Sequence, residues 1–223
     1  MPFADRRDAG RRLAAALARF KDRRPTVLAL PRGGVPVGFE IAMRLHAPLD
    51  VVLVRKIGHP WSPELAIGAL AEGEPPVRFT DDDMVTELGV SRAYLDEEIA
   101  RQTREIDRRK QLYFAAGSRP GVRDRTAIVV DDGIATGATM RAALRAVHKR
   151  RPAKLVLAVP VAPSSTLDSL RAEADEIVCL ESPDDFAAIG QFYADFRPVE
   201  DETVIEILRQ ATAIPPTDRA RER

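Results

Sequence analysis

The stretch IVVDDGIATGATM, Ile128 to Met140, sets an apolar run against two adjacent carboxylates, a loop of small residues and the start of a helical pattern. Ionised carboxylates accept hydrogen bonds and donate none, so Asp131 and Asp132 side by side match a vicinal diol, which brings two hydroxyl donors. The loop Ala135-Thr136-Gly137-Ala138-Thr139 has side chains small enough for a ligand to approach its backbone. A helix starting behind it turns unpaired N–H groups and the positive end of its dipole toward that ligand, which suits a phosphate dianion. Thr136 and Thr139 are expected to cap this helix and add hydroxyl donors. The stretch suits a molecule with a diol at one end and a phosphate at the other, and a ribose 5-phosphate group has that form. No GK[ST] follows the loop and no GxGxxG follows a strand, which separates it from Walker and dinucleotide loops. A bare Asp-Asp pair reads more simply as a helix cap; the whole pattern is what points to a ligand.

A second loop repeats the design. In LALPRGGVPVG, Leu28 to Gly38, an apolar strand precedes the tight turn Arg32-Gly33-Gly34, and Pro36 suits the first turn of a helix. Exposed amides beside one guanidinium form a site for a multiply charged phosphate. Arg55 and Lys56 follow the next strand candidate and add two cations at the start of a long insertion.

These groups need a scaffold that places strand ends together. Short apolar runs at Val27–Leu30, Val51–Val54, Ile128–Val130, Leu155–Val159 and Ile177–Leu180 are continuous rather than alternating, as in strands covered on both faces. Helical stripes lie between them: Val37, Ile41 and Leu45, then Met140, Leu144 and Val147, with Pro152 closing the second. Further helices are expected at Arg11–Phe20, Leu167–Ala172 and Thr203–Gln210. The order is that of an α/β fold, a central parallel sheet flanked by helices, which binds ligands at the carboxyl ends of its strands. One domain is expected over residues 1–223, with a core at about 25–180. An insertion at about 55–120 interrupts the rhythm with a Gly/Pro-rich stretch, RKIGHPWSPELAIGALAEGEPP, and a charged helix near Ser91–Phe114; its length suggests a lid or binding loop. The Pro- and acid-rich stretch after Leu180 suggests a small C-terminal cap at about 181–210, and residues 211–223 a flexible tail.

Composition narrows the class. Formal net charge is zero, which gives no global reason to expect nucleic acid. The single cysteine, Cys179, excludes an internal disulfide framework, and three histidines without an HExxH pattern suggest no dedicated transition-metal site. No stretch has the apolar length of a signal peptide or a membrane span, so a soluble cytoplasmic protein is expected. Residues 1–24 are rich in arginine and Glu173 to Glu206 rich in acids; they read as two solvated faces able to attract each other.

VVDDGIATGATM resembles the ribose-phosphate signature of type I phosphoribosyltransferases. That resemblance extends over roughly Thr26 to Leu180 and implies transfer of the 5-phosphoribosyl group of phosphoribosyl pyrophosphate (PRPP) to a nitrogenous base, with release of pyrophosphate and dependence on Mg2+. It places Asp131 and Asp132 on the ribose diol, as catalytic residues and as the contact for magnesium through substrate or water. It places Ala135, Thr136, Gly137, Ala138 and Thr139 around the 5-phosphate. Arg32, Gly33 and Gly34 fall in the pyrophosphate loop, which in the family often contains a strained peptide, with Arg32 also catalytic; Arg55 and Lys56 resemble a pair that meets pyrophosphate. Trp61, Glu64 and the rest of the insertion resemble a lid that shields a reactive ribosyl cation from water. The cap in the family recognises the base. Phe186, Phe192, Tyr193 and Phe196 are candidates to stack on it, with Phe186 taken first. Members that use 6-oxopurines carry an acid before the Thr-Gly of the phosphate loop. Here Ala135 stands there, as in adenine- and uracil-type loops, so no general base is assigned. Members commonly form homodimers. The alternative is a PRPP-sensing regulator of the same fold that binds nucleic acid through its basic N-terminal segment without transferring anything.

Overall fold

A computed structural model of the protein describes residues 2–114 and 119–212. The chain begins with α1 (Arg6–Ala16), whose N-cap Asp5 accepts the Asp8 amide at 2.7 Å, and a 3₁₀ turn at Ala18–Phe20. Then come β1 (Pro25–Ala29), α2 (Gly34–Leu45) and β2 (Leu49–Val51). The insertion supplies β3 (Val54–His59), β4 (Ser62–Ala71), β5 (Val77–Thr80), α3 (Asp82–Glu87) and α4 (Arg92–Phe114). The chain continues through β6 (Thr126–Val130), α5 (Ala138–Lys149), β7 (Lys154–Val161), α6 (Ser164–Leu170) and β8 (Glu176–Glu181), and ends in a 3₁₀ turn at Ile189–Phe192 and α7 (Asp201–Thr212). No helix among the described residues is long and apolar enough to cross a membrane.

Five strands form the expected parallel sheet in the order β2-β1-β6-β7-β8. Successive side chains in a strand point to opposite faces, and here both faces are covered. Ile128 and Val130 pack with Leu13 of α1, Ile41 of α2 and Val204 of α7. Ala127 and Val129 pack with Met140, Leu144 and Val147 of α5 and with Leu170 of α6. This double coverage accounts for the unbroken apolar runs in the sequence. After β1 the chain builds β2 on one side; β6, β7 and β8 then extend the sheet on the other. The strand order therefore reverses between β1 and β6, and the crevice beyond such a pair is where open α/β sheets bind ligands. Ala29 pairs with Val130, so the two strands end level.

The insertion differs from a lid made of loop. Its Gly/Pro-rich stretch forms a three-stranded antiparallel sheet, β3-β4-β5, resting on α5 through Ala69, Ala71 and Val77 against Ala142 and Ala146. Two of its glycines serve close backbone approach. A Cβ on Gly58 would lie 2.5 Å from the Pro63 carbonyl oxygen, and one on Gly68 2.5 Å from that of Phe79. The expected strand Val51–Val54 is split between the two sheets at Val52 and Leu53, both buried, so its apolar run carried no sign of the break. The C-terminal boundaries also move. Val204, Ile207, Leu208 and Ala211 dock α7 into the main core, so Ala211 and Thr212 finish a helix rather than start a tail. The rest of the expected tail, 213–223, lies outside the described residues.

A charged cluster joins the two sheets. Arg119 binds Asp50 through Nε at 2.9 Å and Glu72 through both terminal nitrogens at 2.8 and 2.7 Å, and its guanidinium lies 4.1 Å from the centre of the Phe114 ring. Both carboxylates are buried, and burial holds Asp50 above its ordinary 3.8 despite Arg119. Removing one partner of such a group strands the others. Arg119→Ala is therefore expected to lower stability by about 3–5 kcal/mol in urea unfolding at neutral pH. An acid whose folded-state pKa is raised favours the folded state when protonated, so the deficit should narrow as pH falls through that raised value.

Candidate active site

The two phosphate-type loops leave neighbouring strand ends and touch. Asp131 and Asp132 follow β6 directly, and Pro31 to Gly34 follow β1. An added Cβ on Gly33 would lie 2.0 Å from Asp132 Oδ2, and one on Gly34 2.8 Å from the Val130 carbonyl oxygen and 2.9 Å from Asp131 Cα. The glycines are thus required by contact between the loops. The peptide bond between Pro31 and Arg32 is cis.

The acid pair sits in a poorly solvated place. Asp132 is 8% exposed, while Asp131 is partly open at the strand end and its Oδ1 accepts the Asp132 amide at 2.9 Å. Burial, and then the neighbouring Asp132 charge, push the Asp131 carboxyl well above its ordinary range. Burial also raises Asp132, opposed by Arg6. Arg6 Nε donates to Asp132 Oδ2 at 2.7 Å, with both side chains 11% exposed. Tyr193 Oη donates to the Asp132 carbonyl at 2.5 Å.

Both helices behind the loops begin without a side-chain cap. The N-cap of α5 is Gly137 at φ +83°, a left-handed conformation natural to glycine, and no side chain bonds to its first turn. The capping expected of Thr136 and Thr139 does not occur, and the first-turn amides lack a side-chain acceptor. Thr166 of α6 steadies the loop by donating to the Ala135 carbonyl at 2.7 Å. The N-cap of α2 is Gly33, again with no side-chain bond. Ala135 and Thr136 are exposed, and Ala138 and Thr139 partly so.

The other expected residues spread out. Arg32 has one terminal nitrogen 3.7 Å from Asp201 and 3.8 Å from Glu200, at the start of α7; Asp201 also accepts a hydrogen bond from Tyr113. Arg55 and Lys56 are consecutive on a strand and point to opposite sides. Arg55 Nε donates to Gln102 of α4 at 3.0 Å, and Lys56 meets Glu64 across the hairpin at 3.0 Å. Trp61, at the tip of that hairpin, is 90% exposed.

The cap is built from both ends of the described chain. Phe3 N donates to the Phe192 carbonyl and Ala194 N to the Phe3 carbonyl, each at 2.8 Å. The Phe3 and Tyr193 rings lie 5.3 Å apart, and Tyr193 and Phe196 5.0 Å apart. Phe186 stacks on Phe192 at 5.4 Å, and both are partly exposed. Asp195 is held by Arg197 at 2.6 Å. The sequence reading missed Arg6, Glu200, Asp201 and Thr166. Arg6 lies in an arginine-rich segment where nothing marks one residue from the next, although Asp5 before it is a legible N-cap. Arg7 meanwhile pairs with Glu40 and Arg12 with Asp8 of its own helix, while Arg19 pairs with Glu176 of the acidic stretch.

Comparison with known proteins identifies the family. The family model described as phosphoribosyl transferase domain matches residues 5–197. The Mycobacterium tuberculosis (strain H37Rv) protein named "Putative phosphoribosyl transferase Rv0571c" is 44% identical over 209 residues, covering 94% of this chain and 47% of the relative. A second M. tuberculosis sequence, MT0597 of strain CDC 1551, aligns with the same figures, 44% over 209 residues. The chain thus spans about half the length of the curated relatives it matches. The crystal structure of TT1426 from Thermus thermophilus is 45% identical, with a TM-score of 0.80 over 94% of this chain and 99% of that one. The chain belongs to the phosphoribosyl transferase domain family.

Proposed function

We propose that the protein is a magnesium-dependent phosphoribosyltransferase that moves the 5-phosphoribosyl group of PRPP to a nitrogenous base or related nucleophile and releases pyrophosphate. The observation that carries this reading is the contact of two glycine-bearing, side-chain-uncapped loops across the β1/β6 reversal, with an acid pair between them. Asp131 and Asp132 accept the ribose hydroxyls. The amides and hydroxyls of 135–139 hold the 5-phosphate at the start of α5, where the helix dipole favours the dianion. Arg32 and the Gly33–Gly34 backbone receive the pyrophosphate and stabilise the negative charge that grows on it as the C1–O bond breaks, while positive charge develops on the ribose.

Among the described residues no group of three or more His, Cys, Asp or Glu side chains is placed to hold a metal ion. Mg2+ commonly binds through one or two carboxylates together with substrate phosphates, and the Asp131–Asp132 pair suits that shared mode. When bound, the ion would offset charge on the departing pyrophosphate. Phe186 and Phe192 offer ring faces to an incoming base.

Calorimetric titration with PRPP and Mg2+ tests the reading. Wild type should bind, and Asp131→Asn/Asp132→Asn should bind at least roughly 100-fold more weakly, since it loses charge-assisted bonds to two hydroxyls; a wild type without affinity would defeat it. Gly33→Ala is expected to displace the Asp132 carboxylate, destabilise the fold by about 1–3 kcal/mol and lower PRPP affinity. Unchanged affinity in that variant would mean that the two loops do not act on one ligand.

A further inference from the structure

Asp132 is gripped twice by the cap, and from opposite ends of the described chain. Tyr193 holds its carbonyl at 2.5 Å, and Arg6 holds its carboxylate at 2.7 Å. Arg6 also donates from a terminal nitrogen to the Arg197 carbonyl at 2.8 Å, and its guanidinium lies 3.9 Å from the centre of the Phe196 ring. It is therefore fixed along its length: Asp132 on Nε, the backbone of the cap on the terminal nitrogen, and an aromatic face against the plane. A carboxylate has two oxygens and several acceptor positions. Arg6 engages Oδ2, the oxygen nearest Gly33, and the neighbouring Asp131 carboxyl also reaches the Asp132 carboxylate.

Two adjacent carboxylates at a buried strand end repel each other and resist losing solvent. An arginine on one of them offsets both costs and fixes the orientation of the group it binds. We propose that Arg6 is a positioning residue of the donor site, fixing the orientation in which the Asp132 carboxylate, set against Gly33, meets a ribose hydroxyl and linking that end of the site to the cap. The inference rests on the donor-site reading of Asp131 and Asp132 above. It assigns a role in ligand binding to the N-terminal segment, whose arginines otherwise read as a solvated basic face.

The test is a double-mutant cycle on the full chain: PRPP with Mg2+ titrated into wild type, Arg6→Gln, Asp132→Asn and the double variant, with thermal unfolding of each as a control for folding. Arg6→Gln should weaken binding roughly 10- to 100-fold, and should cost less than about twofold once Asp132 is already Asn, because the partner through which it acts is gone. Arg6→Lys should recover part of the loss, restoring the charge but not the two-directional reach of a guanidinium. Equal losses in both backgrounds would overturn the proposal, as would unaltered binding in Arg6→Gln. If Asp132→Asn binds too weakly to measure, the comparison of Gln with Lys decides: no recovery by Lys in a folded variant overturns it. A wild type that fails to bind defeats the donor-site reading itself, whereas a binding wild type with an indifferent Arg6 defeats only this inference.

Discussion

The structure depends on how closely two parallel strand ends approach. β1 and β6 are hydrogen-bonded neighbours that finish at the same level, so the segments leaving them must pass each other at once. At Gly33 there is no room for a Cβ because the Asp132 carboxylate fills the space, and at Gly34 the obstacle is backbone. This compression brings an acid pair, an arginine-bearing turn and two helix starts into one crevice. The sheet order accounts for the place: only where the strand order reverses do helices leave toward opposite faces and open a gap between their first turns.

What surrounds the crevice is organised to keep charges there from relaxing elsewhere. A buried carboxylate needs a partner or loses its charge. Asp132 finds one in Arg6 and Asp50 finds one in Arg119. Both solutions bring in residues far away in sequence, and in both the arginine joins separate parts of the fold: the cap to the strand end, or the insertion to the parallel sheet. Arg32 meets the carboxylates of Glu200 and Asp201 at distances near the limit for an ion pair, and its side chain is more open than that of Arg6. A loosely paired guanidinium is cheaper to redirect toward an incoming anion than one buried in a tight pair.

Much of this was legible in the sequence, for identifiable reasons. Continuous apolar runs marked β1, β6, β7 and β8 and only the end of β2, most clearly where both faces of the sheet are covered, and the acid pair with its small-residue loop is a local pattern read without tertiary information. The insertion's strands were less legible, because a Gly/Pro-rich stretch carries little strand signal, and Gly58 and Gly68 owe their identity to backbone contacts across an antiparallel sheet. Helix capping misled: Thr136 and Thr139 have the right chemistry, yet the left-handed Gly137 takes the cap position and leaves the amides open. The long-range partners were not legible at all. Arg6 is 126 residues from Asp132, and no local period or propensity encodes a pair of that separation.

The hairpin that carries Trp61 has a spectroscopic consequence. The chain has one tryptophan, and it projects into water from the turn between β3 and β4. Its emission in the folded protein already reports an aqueous setting, so loss of the core alone would scarcely alter it. The same indole is sensitive to anything that comes to rest against the hairpin. Intrinsic fluorescence of this protein is thus a nearly silent gauge of global unfolding and a selective one for events at a single exposed turn.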